Sequence, residues 1–231
     1  MSTNRYEDLS TDDLQKLLKL RGSDVPTHFD RSNLISAARD LDRIDYDEEA
    51  RKLFARLNLT PNKERKLWAP LDPVWCNPET GGTLYVGNYV GASDRKTLND
   101  KGIKAVVNCQ DLTSTNYFEE DGDIAYFRFA VSRLALDCCA EMKNSRFGAF
   151  DAFRPSFNFV DDHLQRGQSV LIHCLAGAHR AGTLGVAYLM YKMRIGVDEA
   201  IHTAKQCRPV IGPFGTLLEL LHYLCLDMKH T

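Results

Sequence analysis

Short apolar runs alternate with longer amphipathic stretches over the last two thirds of the chain. Four runs have the length of buried strands, at residues 83–86, 105–108, 125–129 and 169–172. Five stretches carry apolar residues at helical spacing, at residues 93–101, 150–166, 181–193, 197–206 and 216–229. Because strands that alternate with helices build layered folds, the pattern predicts an α/β fold with a central sheet flanked by helices.

The first part of the chain has leucines at helical spacing and lacks a strand-like run. A helix is predicted over residues 9–22, with Ser10 or Thr11 as its N-cap and a glycine at its end. Two further helices are predicted at residues 31–41 and 46–57. Prolines and a basic cluster then interrupt the helical periodicity between residues 58 and 72. We therefore predict a small all-helical N-terminal segment at residues 1–66, followed by the α/β domain at residues 67–231.

Composition is that of an ordinary globular protein. The 231 residues are 44% hydrophobic and 26% charged with a net charge of −2, which argues against non-specific binding to polyanions. No apolar run is long enough to span a bilayer, and the N-terminus lacks the apolar core of a secretory signal, so no membrane association is expected. The seven cysteines are an odd number that fits a reducing compartment. These features predict a cytoplasmic or nuclear protein.

The candidate chemistry lies in the eight residues that follow the last predicted strand, His-Cys-Leu-Ala-Gly-Ala-His-Arg. Cys174 and Arg180 are six positions apart across a glycine-containing turn that leads into a predicted helix. A strand, a tight turn and a helix N-terminus together direct backbone N–H groups inward, where they bind a tetrahedral oxyanion. We therefore predict a phosphate-binding loop, called the phosphate loop below, formed by Leu175, Ala176, Gly177, Ala178, His179 and Arg180.

Three side chains of this segment have distinct expected roles. A cysteine beside a cation and a helix N-terminus ionises readily, so Cys174 is expected to attack phosphorus as a thiolate. Arg180 can hold two phosphoryl oxygens with its planar fork, which a lysine cannot do. His173 is expected to support the loop by hydrogen bonding to backbone rather than to act as a base.

The pattern His-Cys-x-x-Gly-x-x-Arg resembles the signature of cysteine-dependent protein phosphatases, in particular the dual-specificity branch. Residues 83–88 and 102–108 are similar to the opening strands of such domains, and Arg208-Pro209 with the leucines after it resembles their closing loop and last helix. The resemblance implies a cysteinyl-phosphate intermediate and needs no metal or other cofactor. It also implies that the substrates are proteins phosphorylated on tyrosine and on serine or threonine.

The chain departs from the family pattern at the general acid. The resemblance implies an aspartate after the strand at 125–129, near Ser132 and Arg133, but neither residue has a carboxyl group. Asp137 is the nearest carboxylate and is the predicted acid, with Glu141 and Asp151 as alternatives.

A second departure follows the arginine, where the family usually has a serine or threonine that supports the thiolate. This chain has Ala181, and Thr183 lies two positions too late. Loss of a donor to a charged sulfur predicts a modest turnover. Two alternatives therefore stay open: a catalytically weak phosphate-binding pseudophosphatase, and a phosphatase that uses the same chemistry on a glucan or phosphoinositide.

The N-terminal helices resemble SAP-like modules, which bind nucleic acid or protein partners. Their carboxylates offset the lysines and arginines, so no basic stripe for DNA is evident. Protein docking or a structural role is therefore the favoured hypothesis for this segment, over nucleic-acid binding.

Overall fold

A five-stranded sheet forms the centre of the molecule. The computed structural model describes residues 5–26, 28–56, 69–141 and 148–229, except for the side chains of Arg56 and residues 137–141. In this part of the chain the strands are β1 (Leu71–Cys76), β2 (Thr83–Gly87), β3 (Ile103–Asn108), β4 (Ala125–Arg128) and β5 (Ser169–His173). Their order is β1-β2-β5-β3-β4, and β1 is antiparallel to β2 whereas the other neighbours are parallel.

Helices precede, connect and cover these strands. They are α1 (Thr11–Leu20), α2 (Arg31–Asp42), α3 (Tyr46–Arg56), α4 (Tyr89–Ala92), α5 (Arg95–Asp100), α6 (Val131–Glu141), α7 (Ala149–Gln165), α8 (Arg180–Met193), α9 (Val197–Cys207) and α10 (Thr216–Lys229). None of the helices in the described ranges has both the length and the apolar content needed to cross a membrane.

The two faces of the sheet bury different sets of helices. Val86, Val107 and Ile172 point to a large core shared with α6 to α10. Val106 and Leu171, which alternate with them along the strands, pack against the shorter helices α4 and α5. Every residue of β5 is buried, as expected for a strand with a neighbour on each side and helices on both faces.

The register of the sheet fixes where the candidate chemistry lies. Gly87 of β2 and Asn108 of β3 are both paired with His173 of β5. The carboxyl ends of three neighbouring parallel strands therefore meet at one edge of the sheet. Cys174 follows β5 directly, so this edge carries the phosphate loop.

The predicted fold class is confirmed, and the structure adds three elements to the predicted ones: β1, the short helix α4 and α6. β1 is an edge strand whose pairing shifts register between Pro73 and Trp75. Its apolar residues do not form a continuous run, and a proline is tolerated at a sheet edge. The segment after β4, to which the sequence pattern assigned no helix or strand, forms α6, whose Val131 and Ala135 are one helical turn apart and both buried.

Helices α1 and α2 form a small core that is joined to the rest of the molecule, whereas the buried residues of α3 pack against the α/β region. Ser10 caps α1 as predicted, accepting a hydrogen bond from the backbone N–H of Asp13 at 3.1 Å. Leu18 of α1 and Leu34 of α2 are buried together. Arg21 donates to Glu219 of α10 at 2.7 Å, and both side chains are inaccessible to solvent. The predicted domain boundary at residues 66–67 lies outside the described residues and stays a prediction.

Candidate active site

The structure brings Cys174, Gly177 and Arg180 together at the end of β5. Cys174 is buried, and the backbone N–H of Gly177 points at its Sγ at 3.2 Å. Arg180 is the first residue of α8, so the loop lies at the N-terminus of a 14-residue helix. A helix N-terminus stabilises negative charge, on the sulfur or on a bound oxyanion.

Gly177 is the residue that allows this loop to close. Its φ is +67°, a region that residues with a Cβ rarely adopt. A Cβ at this position would lie 2.3 Å from the carbonyl oxygen of Gly87, at the end of β2. The glycine therefore permits both the turn and its close approach to the neighbouring strand.

Arg208 supports the loop from behind. Its Nε donates to the carbonyl oxygen of Gly177 at 2.9 Å, and its Nη2 donates to that of Ala176 at 3.2 Å. Its Nη1 bonds to the carbonyl of Ala69 and to the Asp72 carboxylate, at 3.0 and 2.5 Å. These hydrogen bonds fix the orientation of two loop peptides, whose carbonyl oxygens accept from Arg208 and therefore do not turn toward a bound anion. The sequence placed Arg208 in a closing loop but did not indicate this positioning role.

Arg180 is 4% exposed and contacts a residue from the N-terminal part of the chain. Its Nη2 donates a hydrogen bond to Oδ1 of Asp47, in α3. Burial lowers the pKa of Arg180, but the nearby Cys174 sulfur and the Asp47 carboxylate raise it by more. The pKa of Arg180 therefore lies above its usual value. The guanidinium is therefore charged, as phosphate binding requires.

Asp47 was not among the site residues predicted from the sequence. It precedes Cys174 by more than one hundred residues, and one aspartate in the first turn of an acidic helix carries no signal of such a contact. Ala50, one turn further along α3, packs against Ala176 and Ala178 of the phosphate loop.

The two histidines of the signature segment are held in different ways. Burial lowers the pKa of His173 to about 3, so the ring is neutral at neutral pH and is no general base toward solvent. His179 is half-buried, and its Nδ1 donates to the carbonyl oxygen of Gly212 at 2.8 Å. Its ring lies edge-on to Phe214, with centroids 4.9 Å apart. His179 therefore joins the loop to the segment before α10.

The position after Arg180 offers no hydroxyl to the sulfur. Ala181 is fully buried. Thr183 donates to the carbonyl oxygen of His179 at 2.8 Å, so its hydroxyl is committed within α8.

The candidate general acids are not placed alike. Asp137 and Glu141 lie in the second half of α6, and their side chains lie outside the described part of the structure. Asp151 is in the first turn of α7, where its carboxylate pairs with Arg154 of the same helix at 2.6 Å. Asp47 is the carboxylate with a described contact to the signature arginine.

Comparisons with known proteins point to one family. The model described as "Dual specificity phosphatase, catalytic domain" matches residues 84–224. Human dual specificity protein phosphatase 9 is 31% identical over 152 residues, which are 64% of this chain and 37% of that protein. Dual specificity protein phosphatase 22-B of Danio rerio is 31% identical over 130 residues, 56% of this chain and 63% of that protein. The chain thus matches less than two thirds of the length of either relative.

A solved structure has the same fold. The crystal structure of a mouse putative dual specificity phosphatase, complexed with zinc tungstate, superimposes with a TM-score of 0.53 at 20% sequence identity. It covers 74% of this chain and 95% of the mouse chain. The family model spans more than half of the chain and includes β5, the phosphate loop and α8. The chain therefore belongs to the dual specificity phosphatase family.

Proposed function

We propose that this chain hydrolyses phosphomonoesters through a cysteinyl-phosphate on Cys174, and that its substrates are proteins phosphorylated on tyrosine and on serine or threonine. The observation that carries the proposal is the position of the Cys174 Sγ, which receives the Gly177 N–H at the N-terminus of the helix that begins with Arg180. Membership of the dual specificity phosphatase family supports the substrate class.

The first step forms one bond and breaks one. The Cys174 thiolate attacks phosphorus, and the bond from phosphorus to the ester oxygen breaks as that oxygen receives a proton from a general acid. Arg180 and the loop N–H groups bind the equatorial oxygens, whose charge redistributes in the transition state. In the second step water attacks the cysteinyl-phosphate, which releases inorganic phosphate and regenerates the thiolate.

Asp137 is the proposed general acid, with Glu141 and Asp151 as the alternatives. Its helix α6 follows β4, the strand after which the family resemblance places the acid. Three single variants, in which each carboxylate in turn is replaced by its amide, show which of the three is the acid. Loss of the true acid should slow a poor leaving group more than p-nitrophenolate and should flatten the limb of the pH profile that reports the acid. If Asp137→Asn leaves both unchanged, the role belongs elsewhere.

The experiment for the whole proposal is hydrolysis of p-nitrophenyl phosphate, followed with and without tungstate. Cys174→Ser should abolish turnover while tungstate binding persists, and Cys207→Ser, at an exposed thiol, is the matched control. Rapid mixing should show a burst of p-nitrophenol, because Ala181 supplies no hydroxyl to speed breakdown of the intermediate. Hydrolysis that persists in the Cys174→Ser variant would overturn the cysteinyl-phosphate mechanism.

A phosphate-binding protein with little turnover is the second candidate. The fully buried Ala181 and the contact of Asp47 with Arg180 favour it. Tungstate binding by the wild type without detectable hydrolysis of aryl phosphate or phosphopeptide would select this function over the first.

Protein docking on α1 and α2 and a cytoplasmic or nuclear setting remain predictions. A reducing compartment suits the chemistry, because the proposed nucleophile must stay a thiol. Titration with duplex DNA at low salt tests whether these helices bind nucleic acid instead. Binding that weakens steeply with salt would replace protein docking by nucleic-acid binding.

A further inference from the structure

Helix α3 lies against the phosphate loop. Ala50 is 2% exposed and packs on Ala176 and Ala178, which have no exposed surface. Leu53 and Phe54 extend the same apolar contact. A loop that accepts a phosphomonoester must open to solvent, yet this one is covered by an earlier helix of the same chain.

The covering helix places a carboxylate on the arginine that the proposed mechanism uses. Asp47 accepts a hydrogen bond from Nη2 of Arg180. Within the described residues the Nε of Arg180 is buried and has no hydrogen-bond partner. A buried donor without an acceptor is rare and indicates a missing partner. A phosphoryl group satisfies both sides of the guanidinium fork, whereas Asp47 satisfies one.

Contacts in the first turn of α3 direct Asp47 toward Arg180. The Asp45 carboxylate accepts hydrogen bonds from the backbone N–H groups of Asp47 and Glu48, at 2.9 and 3.1 Å, and so caps the helix. The Tyr46 hydroxyl donates to the carbonyl oxygen of Phe214 at 3.1 Å. Asp47 therefore contacts Arg180 from a capped helix turn rather than from a free loop.

The rest of α3 is less tightly packed. A solvent-open cleft of about 400 Å³ lies between α3 and the catalytic region, lined by Glu49, Lys52, Leu53, His179 and Phe214. The cleft is open to solvent, so the side chains that line it are only partly removed from water and contribute less apolar burial than a filled interface would. Separation along this cleft therefore costs less than removal of a fully packed helix.

We propose that α3 is an internal competitor of the substrate, with the Asp47 carboxylate occupying part of the phosphate site, and that phosphorylated substrates bind after α3 moves off the loop. This inference rests on the proposed function, because it names the regulation of that site. An N–H of Arg180 cannot serve the carboxylate and a phosphoryl oxygen fully at once. The apparent dissociation constant of any phosphate-like ligand is then the intrinsic constant divided by the fraction of molecules in which α3 is displaced.

The test compares Asp47→Asn with Glu48→Gln in the full chain. Both remove one negative charge from the first turn of α3, but Glu48 is exposed and contacts Arg51 on the surface. Isothermal titration with tungstate should show about tenfold tighter binding for Asp47→Asn and a change of less than about twofold for Glu48→Gln. Equal affinities of the two variants, or weaker binding by Asp47→Asn, would overturn the proposal.

A second variant is designed to displace α3 from the loop while the Asp47 carboxylate stays unchanged. Ala50→Gln overpacks the contact with Ala176 and Ala178 and should push α3 outward. Tungstate should again bind more tightly than to the wild type. Weaker binding would show that α3 helps to form the ligand site, and it would contradict competition.

Hydrogen exchange in the wild type gives an independent readout. Saturating tungstate should speed exchange of the backbone amides of α3, because the ligand displaces the helix. Slower exchange would show that α3 closes over the ligand, and it would refute the proposal.

Kinetics separate this inference from the proposed function. For Asp47→Asn we expect KM for p-nitrophenyl phosphate to fall about tenfold with kcat unchanged. A fall in kcat at constant KM would instead place Asp47 in the chemical step and overturn competition. If neither protein hydrolyses the ester but Asp47→Asn binds tungstate more tightly, the phosphatase proposal fails and the competition stands.

Discussion

Replacing Arg208 by methionine should destabilise the phosphate loop. The substitution keeps much of the aliphatic volume but removes the donors to the carbonyl oxygens of Ala176 and Gly177. Arg208 is 1% exposed, so water does not replace these donors without a rearrangement of the loop. The Asp72 carboxylate is 24% exposed and regains solvent instead.

The size of the effect follows from these contacts. A buried polar group left without a partner costs about 1–3 kcal/mol, so two loop carbonyls cost about 2–6 kcal/mol. Part of this cost appears as a lower free energy of unfolding, and part as a loop that turns its carbonyls toward the ligand site. Arg208→Lys keeps the charge but has no planar fork, so its effect should be intermediate.

Urea unfolding and tungstate titration measure the two parts separately. Lys205→Met, on the exposed side of α9, is the matched control for loss of one positive charge. We expect Arg208→Met to lose at least about 2 kcal/mol of unfolding free energy and at least tenfold in tungstate affinity, on the order that the orphaned carbonyls imply. If Arg208→Met behaves like the control in both assays, Arg208 does not position the loop.

Three further predictions concern other parts of the structure. Gly177→Ala should abolish tungstate binding, because its Cβ would lie 2.3 Å from a backbone oxygen at a φ of +67°, and wild-type affinity would contradict this. Glu219→Gln should lower the unfolding free energy by about 1.5–3 kcal/mol in urea, because the buried Arg21 loses one of its two carboxylate partners and keeps only Asp42; Asp100→Asn, at an exposed pair, is the control. Burial lowers the pKa of His173 from 6.5 to about 3, so the unfolded chain takes up a proton below pH 6.5 that the folded chain excludes. Above pH 6.5 this group leaves the unfolding free energy unchanged, and below it the unfolding free energy falls by about 1.4 kcal/mol per pH unit as the pH approaches 3. If the unfolding free energy of His173→Asn falls equally steeply with pH, burial of His173 is not the cause.

The sequence by itself determined the features that lie within one short segment. The apolar run 170–172 in β5, the turn at Gly177 and the helix that begins at Arg180 follow one another closely, and their spacing predicts a strand, a loop and a helix. Backbone geometry then forces Cys174 and Arg180 to the same concavity. The α/β class followed for the same reason, because periodicity is a local property of the chain.

Tertiary structure decided what distant segments bring to this loop. Arg208 reaches the carbonyls of Ala176 and Gly177 because α9 returns the chain to the back of the loop. Asp47 reaches Arg180 because Ala50 of α3 packs on the loop. Neither contact leaves a periodic or spaced signal, since an arginine after a helix and an aspartate in a helix's first turn look like ordinary solvated charges. Their partners are set by which surfaces bury each other, a property of the whole packed chain.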